Sequence, residues 1–198
     1  MFRMPPVTRA LILACVVVYF ADSIPGLDLE ALMLWPIGSG NFMPWQVLSY
    51  AFLHGGPSHL IFNMFGLWMF GSELERVWGP RRQLVFYFAS VLGAALMQLL
   101  VAAWSGATEP TIGASGGLFG LLLGFAMLFP NRKIVPLIPP IPMPAWLFVL
   151  IYGLVELGLG VTGTLNGVAH FAHLGGIVGG WLTLRYWRGQ PPFGWGRR

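Results

Sequence analysis

Six long apolar runs, separated by short turn-like segments, dominate the pattern of the sequence. A helix that spans a bilayer needs about 20 mainly apolar residues, and each run has roughly this length. The intervening segments, such as "WGPRR" and "SGATEP", are rich in the residues that form turns. The pattern predicts an all-α polytopic membrane protein of one domain, residues 1–198, with six transmembrane helices. The predicted spans are about residues 7–23, 57–78, 82–104, 113–129, 144–161 and 166–187.

Composition supports a membrane protein, because 56% of the 198 residues are hydrophobic and only 9% are charged. An ordinary soluble domain has about a quarter of its residues charged, so the soluble class is excluded. The first run follows Arg3 and Arg9 and has about the length of a signal peptide, so a cleaved signal is an alternative to a retained span. It ends in Tyr19 and Phe20 rather than in small residues, which favours the retained span. Cys15 is the single cysteine, so no intrachain disulfide is expected.

The charge distribution predicts an orientation. With a cytoplasmic N-terminus, all eleven Lys and Arg residues fall on the cytoplasmic side, as the positive-inside rule requires. Loop 24–56 and the turns near Glu109 and Thr164 then face outward and contain no Lys or Arg. Both termini are therefore predicted to be cytoplasmic. The net charge of +4 indicates membrane orientation and not nucleic-acid binding, so the expected environment is a lipid bilayer.

Four polar residues on three predicted spans fall at one depth. His59 and Asn63 are four residues apart on one face of the second span, near its outer end. Ser115 lies at the outer end of the fourth span, and His173 lies about 10 Å into the sixth span when counted from Asn166. Polar side chains inside a membrane are costly and suggest a functional site. We expect these four to share one layer beneath the outer surface.

Glycine spacing suggests how the fourth and sixth spans meet. Glycines recur every four residues along the fourth span, and two glycines follow His173 at three and seven residues. Such small-residue stripes allow membrane helices to approach closely. If the stripes face each other, His173 lies beside Ser115; the alternative is ordinary glycine packing with an unrelated histidine. The two stripes are Gly116, Gly120 and Gly124, and Gly176 and Gly180.

This arrangement suits acyl transfer. A serine hydroxyl is a weak nucleophile until an adjacent base accepts its proton, and His173 is placed to be that base for Ser115. The side chains of His59 and Asn63, with the backbone N–H of Ser115, supply donors for the oxyanion. Gly113, which precedes the serine by two residues, leaves room with Gly116 for a substrate backbone.

These residues stand in motifs that resemble the rhomboid family of intramembrane serine proteases. The resemblance implies a six-helix rhomboid bundle, with Ser115 as nucleophile and His173 as base. It also implies that His59 and Asn63, as the "HxxxN" pair, stabilise the oxyanion. The motifs, in chain order, are "PWQVLSYAFLHGGPSHLIFNMFGLWMFGSELERVWG", "GASGGLFGLLLGF", "FPNRKIVPLIPPIPMPAW" and "AHLGGIVGG".

The resemblance further implies an endopeptidase that cleaves single-span transmembrane proteins near the outer membrane face, with a preference for small residues at the cut. No metal and no organic cofactor are expected. The implied location is the bacterial inner or plasma membrane, as a multi-pass protein with its active site on the extracytoplasmic side. The alternative function is a catalytically weak or inactive membrane-protein binder of the rhomboid fold.

Other matched positions have expected supporting roles. His170 also follows an alanine, but only His173 has the glycine spacing of the motif. His54 resembles a family histidine that shapes the first loop by hydrogen bonding. Glu75 and Arg76 match an inner segment for which a structural role is expected.

Two positions depart from the family pattern. Rhomboids often carry Trp-Arg in the first loop, whereas Trp45 is followed here by Gln46, so the contacts of that arginine do not transfer. Four residues after the serine, Phe119 stands where the family often has tyrosine. Packing of its ring on His173 is expected, without any contribution from a phenolic hydroxyl.

A soluble hydrolase site is one alternative chemistry for these residues. "GASGG" satisfies the G-x-S-x-G motif of soluble hydrolases, and Ser115, Glu156 and His173 follow their order along the chain. That motif requires a preceding buried strand, whereas the turn-rich "SGATEPTI" precedes it here. Glu156, in the fifth span, falls near the catalytic layer, but a structural glutamate is favoured over a third catalytic member. A Ser-His dyad and slow catalysis are therefore predicted.

A metal enzyme or metal transporter is the other rival. The four histidines could in principle form a nitrogen-rich metal site. The sequence has no "HExxH", no "ExxH" pair and no cysteine cluster, so a metal site is not expected.

Overall fold

The computed structural model of the chain describes residues 3–136, 139–162 and 169–192, and most of these residues are helical. Three 3₁₀ turns, Glu30–Leu32, Ile37–Ser39 and Tyr50–Phe52, lie in the first loop, and a π-helical segment, Leu67–Gly71, joins two α-helices. The α-helices are α1 Pro6–Ala21, α2 Gln46–Ser49, α3 Pro57–Gly66, α4 Ser72–Trp78, α5 Pro80–Ser105, α6 Ser115–Leu128, α7 Ala145–Thr162 and α8 His170–Trp187.

Each of the six predicted spans coincides with helix. The second span is formed by α3, the π-helical segment and α4 in direct succession. Helices α5 and α7 are by length and composition long and apolar enough to cross a membrane. Membrane crossing by all six, with cytoplasmic termini, stays a prediction. Three predicted features lie outside the described residues: the outer turn at Thr164, the start of the sixth span at Asn166, and the basic pair 197–198.

Short extended segments supplement the helices. Strands β1, Lys133–Ile134, and β2, Met143–Pro144, form an antiparallel pair between α6 and α7. Leu34 and Thr111 exchange two backbone hydrogen bonds of 3.0 Å, which tie the first loop to the segment before α6. Backbone groups in connections need partners as much as those in helices do, and these pairs provide them.

Helix α8 approaches α5 at positions where only glycine fits. A Cβ atom placed on Gly175 would lie 2.5 Å from the carbonyl oxygen of Gly93, and one on Gly179 would lie 2.6 Å from the carbonyl oxygen of Ala89. These distances are too short for real Cβ atoms, so the backbones of α5 and α8 are in direct contact. This interface was not among the predicted helix contacts.

Helix α8 also meets α6 through glycines, which confirms most of the predicted stripe pairing. Gly176 lies against the carbonyl of Gly116, and a Cβ on Gly180 would lie 3.2 Å from Cα of Gly120. The prediction for Gly124 is wrong, because a Cβ there would meet Trp78 and Phe86 instead. A four-residue repeat rotates by about 40° per step on a helix with 3.6 residues per turn, so the third glycine faces another neighbour.

At the other end of the bundle, α1 begins on a buried carboxylate. Glu75 accepts hydrogen bonds from the backbone N–H groups of Val7 and Thr8, at 2.8 and 2.7 Å, and from the Thr8 hydroxyl at 2.8 Å. The first N–H groups of a helix lack partners within it, so this carboxylate satisfies them. Arg76 pairs with Glu73 at 2.9 Å. These contacts agree with the structural role expected for Glu75 and Arg76.

The glycine contacts of α8 generate a testable prediction. Gly179→Ala is expected to reduce the free energy of unfolding by roughly 1–3 kcal/mol, because its Cβ would press on the α5 backbone. Gly158→Ala in α7 is the matched control, since a Cβ there has no atom within 4 Å. Thermal unfolding of both variants in detergent, followed by circular dichroism, checks this. Equal midpoints for the two variants would contradict the packing assigned to α8.

Candidate active site

The first turn of α6 is set by a glycine that the first loop holds. The N–H of Gly113 donates to the carbonyl of Tyr50 at 2.9 Å. Gly113 has φ of 127°, a conformation that side chains disfavour, and Ser115 opens the helix two residues later. The backbone N–H of Ser115 has no acceptor within α6, because the first N–H groups of a helix are unpaired there. The hydroxyl and the backbone N–H of Ser115 are therefore both available at the N-terminal end of α6.

Ser115 and His173 are in direct contact, as the sequence analysis expected. The hydroxyl oxygen of Ser115 lies 2.7 Å from Nε2 of His173, and the histidine is buried. Phe119 stacks on the imidazole, with ring centroids 4.3 Å apart and an interplanar angle of 6°. The stacked ring restricts rotation of the imidazole and keeps Nε2 directed at the serine.

The ring of His59 occupies the space that Gly113 leaves free. A Cβ on Gly113 would lie 2.9 Å from Cε1 and Nε2 of His59, and 3.7 Å from the Ser115 hydroxyl. The N–H of Gly55 donates to Nδ1 of His59 at 3.3 Å. A neutral imidazole that accepts at Nδ1 carries its hydrogen on Nε2. His59 therefore offers an N–H donor on the side of its ring that faces Ser115.

Asn63 lies one helical turn below His59. Its Nδ2 donates to the His59 carbonyl at 2.8 Å, and its Oδ1 has no hydrogen-bond partner among the residues that the structure describes. The side-chain amide has two N–H groups, so one is left after the bond to the helix backbone.

The predicted site residues converge on one cavity of about 640 Å³, a volume within the usual range for ligand pockets. Gly176 packs against the carbonyl of Gly116, which is one of the residues that line the cavity. Gln98, Glu109 and Thr111 add polar groups at the same cavity. The predicted residues that line it are His59, Asn63, Gly113, Ser115, Gly116 and His173.

Two further polar residues, Glu156 and His170, lie next to His173. Oε2 of Glu156 is 2.9 Å from Nδ1 of His173 and accepts a hydrogen bond from Nδ1 of His170 at 2.6 Å. Glu156 and His173 are close enough for an ion pair, but Oε2 and Nδ1 are not aligned for a hydrogen bond. Nδ1 of His173 therefore has no hydrogen-bond partner within the described part of the chain. The contact between Glu156 and His170 was not among the predicted contacts. The available signal was that Glu156 is the only charged residue of α7.

The same three residues could in principle hold a metal ion. The donor atoms of Glu156, His170 and His173 all lie within 4.8 Å of one another. Two imidazoles and a carboxylate are a donor set that suits zinc. The expectation that the protein needs no metal stays a prediction, and a chelator tests it directly.

Gln46 organises the first loop, where the family often has an arginine. Its buried amide donates to the carbonyls of Ala31 and Asn41 at 3.2 and 3.0 Å, and its Oε1 accepts from the N–H of Trp35 at 3.2 Å. An uncharged amide therefore connects three separate positions of the first loop. The loop that Gln46 stabilises carries Tyr50, whose carbonyl holds Gly113.

Comparison with known proteins identifies similar sequences across bacteria and eukaryotes. The family model described as the rhomboid domain matches residues 41–189. RHOMBOID-like protein 4 of Arabidopsis thaliana is 36% identical over 180 residues, which cover 88% of this chain and 40% of that protein. Rhomboid protein 1, mitochondrial, of Saccharomyces cerevisiae is 33% identical over 139 residues, 69% of this chain and 40% of the relative.

One of the bacterial relatives is named as a rhomboid protease. Rhomboid protease GlpG of Yersinia pestis is 28% identical over 188 residues, which cover 92% of this chain and 62% of the relative. The chain thus spans 40% to 62% of the length of these three relatives.

The loop histidine His54 generates a prediction about pH. Burial, together with the imidazole of His59 at a centroid distance of 5.1 Å, lowers the pKa of His54 to about 4. The unfolded chain, whose histidine has a pKa near 6.5, then binds more protons than the folded chain between these values. Stability is therefore expected to fall as pH decreases from about 6.5 to about 4.

His54→Gln is the matched variant, because glutamine keeps polar atoms but takes up no proton in this range. Unfolding midpoints in detergent, measured from pH 7 to pH 4, should decline less steeply for His54→Gln than for the wild type. Identical slopes would show that His54 is not held neutral by its surroundings.

Proposed function

The chain belongs to the rhomboid family of helical membrane proteins, and from this premise we propose that it is an intramembrane serine endopeptidase. The observation that carries the proposal is the 2.7 Å contact between the Ser115 hydroxyl and Nε2 of His173, at the wall of a polar cavity. A serine hydroxyl in contact with a buried imidazole, next to unused N–H donors, is what acyl transfer requires.

The first half of the reaction forms an acyl-enzyme. Nε2 of His173 accepts the hydroxyl proton as Oγ of Ser115 attacks the carbonyl carbon of the scissile peptide. The negative charge that develops on the carbonyl oxygen is stabilised by the N–H of Ser115, the ring N–H of His59 and the amide of Asn63. His173 then gives its proton to the leaving amine, and the C–N bond breaks.

The second half restores the enzyme. A water molecule enters through the cavity and loses a proton to His173 while its oxygen attacks the ester carbonyl. The N–H of Ser115, the ring N–H of His59 and the amide of Asn63 again stabilise the negative charge on the carbonyl oxygen. The C–O bond to Ser115 then breaks, the serine regains its proton from His173, and the product carboxylic acid leaves.

The proposed substrates are single-span membrane proteins, bound at the outer end of the bundle. A transmembrane helix hides its carbonyls in hydrogen bonds, so the substrate must unwind locally before Ser115 can reach one. Gly113 and Gly116 line the cavity in which that extended backbone would bind. The space beside them is filled by protein, because a Cβ on Gly113 would meet His59 and one on Gly116 would meet Ala94, so the expectation that these two glycines leave room for substrate is not supported. The proposed topology places both termini in the cytoplasm and the cavity on the extracytoplasmic side of a bacterial inner or plasma membrane.

Cleavage by the purified full chain tests this proposal. In detergent with a chelator present, the wild type should cut a single-span reporter protein bearing fluorophores at its ends. Ser115→Ala and His173→Ala should each abolish the cut, since each removes one partner of the proton transfer. His170→Ala should retain detectable cleavage. Loss of activity on chelation, or full activity of Ser115→Ala, would refute the serine mechanism, and substrate binding without cleavage would favour the alternative binder.

The oxyanion donors give a graded prediction. Asn63→Ala should lower kcat by about 10²–10³-fold, the usual effect of removing one such donor, with a smaller change in KM. Asn41→Ala is the matched control, because that exposed side chain lies in the first loop outside the cavity. Steady-state cleavage of the same reporter separates the two constants. An effect on KM alone would mean that Asn63 binds substrate and does not stabilise the oxyanion.

A further inference from the structure

A single carboxylate oxygen lies between the two histidines of α8. Oε2 of Glu156, on α7, is 2.9 Å from Nδ1 of His173 and 2.6 Å from Nδ1 of His170. The two rings are nearly perpendicular, at 88°, with centroids 6.5 Å apart. All three side chains are largely buried, with 5%, 11% and 13% of the His170, His173 and Glu156 side chains exposed. A charged group in such an environment is costly unless it has partners, so its position requires an explanation.

The chemistry proposed for His173 explains why a carboxylate lies at this position. For Nε2 to accept the serine proton, the neutral imidazole must carry its own hydrogen on Nδ1. An acceptor beside Nδ1 selects this tautomer and stabilises the imidazolium that forms once the proton has moved. The Glu156 oxygen is the ionisable acceptor at that nitrogen among the described residues. Its alignment is incomplete here, and catalytic hydrogen bonds commonly tighten only when substrate is bound.

The second histidine fixes the carboxylate. His170 donates through Nδ1 to the same oxygen and precedes His173 by three residues on α8. The buried residues of α7 are Ala145 and Phe148, at the beginning of that helix. Apolar packing therefore does little to position Glu156, and the short contact with His170 anchors it to the helix that carries the base.

We propose that Glu156 is a positioning residue that sets the tautomer and orientation of His173, and that His170 holds Glu156 in place. Ser115 and His173 remain the two residues that act on the substrate, and Glu156 and His170 act on them only by positioning His173. Glu156 takes up no proton in this scheme: the serine proton stays on Nε2, and the carboxylate stabilises the resulting charge. This inference rests on the proposed serine protease function.

The test compares kcat and KM for Glu156→Gln and Glu73→Gln in the full chain, in detergent with a chelator. Glutamine keeps the shape of Glu156 and removes its charge. We expect kcat to fall by at least about 10-fold, towards the roughly 10⁴-fold loss known for the acid of a catalytic triad, with KM changed by less than about twofold. Glu73 is the control, because it pairs with Arg76 and Arg132 away from the cavity, and Glu73→Gln should keep wild-type constants.

His170→Gln tests the anchor. If His170 acts through Glu156, this change should lower kcat in the wild-type background and have little further effect in Glu156→Gln, so the two effects are not additive. If Glu156→Gln does not fold, the labelling rate of His170→Gln with a fluorophosphonate replaces the comparison and should be at least about threefold below wild type. An unchanged labelling rate, or additive losses in the double variant, would overturn the anchoring role.

The outcomes separate the inference from the function on which it rests. A wild type that neither cleaves the reporter nor reacts with a fluorophosphonate refutes the serine protease proposal. A wild type that does both, with unchanged kcat in Glu156→Gln, refutes only the role of Glu156. Loss of wild-type activity in chelator, restored by Zn²⁺, would show that the three donors bind a metal and would overturn both.

Discussion

The contact of α8 with α5 and α6 is the constraint on which the site depends. Backbone meets backbone at Gly175, Gly176 and Gly179, where any side chain would separate the helices. Gly176 lies one turn below His173 and packs against the carbonyl of Gly116, which directly follows Ser115 in the sequence. The approach that brings these glycines together also sets the distance between imidazole and hydroxyl. The glycines that pack α8 against its neighbours therefore also determine the geometry of the proposed site.

The remaining parts of the site are attached to this contact. The first loop, organised by Gln46, presents the Tyr50 carbonyl that holds Gly113 in a left-handed conformation. That conformation starts α6 at Ser115 and opens the space that His59 occupies. Phe119 and Glu156 then restrict His173 from two sides, one by stacking and one by charge. Each element limits the positions that the Ser115 hydroxyl and the His173 imidazole can take, and such positioning is the proposed source of reactivity at Ser115.

Much of this could be predicted from sequence, because membrane helices follow simple rules of length and spacing. Apolar runs located the helices, and the spacing of glycines around His173 selected it over His170 and matched it to Ser115. The prediction for Gly124 failed because a four-residue stripe rotates around its helix. The α5 contact and the pairing of Glu156 with His170 depend on the relative rotation of separate helices, which no local pattern records. Gln46 likewise forms contacts that follow from the path of the loop.

Mapping a fluorophosphonate adduct by mass spectrometry tests the central claim most directly. The reagent forms a stable bond with a serine only when its hydroxyl has been activated, and fluoride leaves. The account predicts one adduct on the intact wild-type chain, located at Ser115, and its loss in a folded His173→Gln variant. An adduct on another serine, or an adduct at Ser115 that persists at full rate without His173, would contradict it.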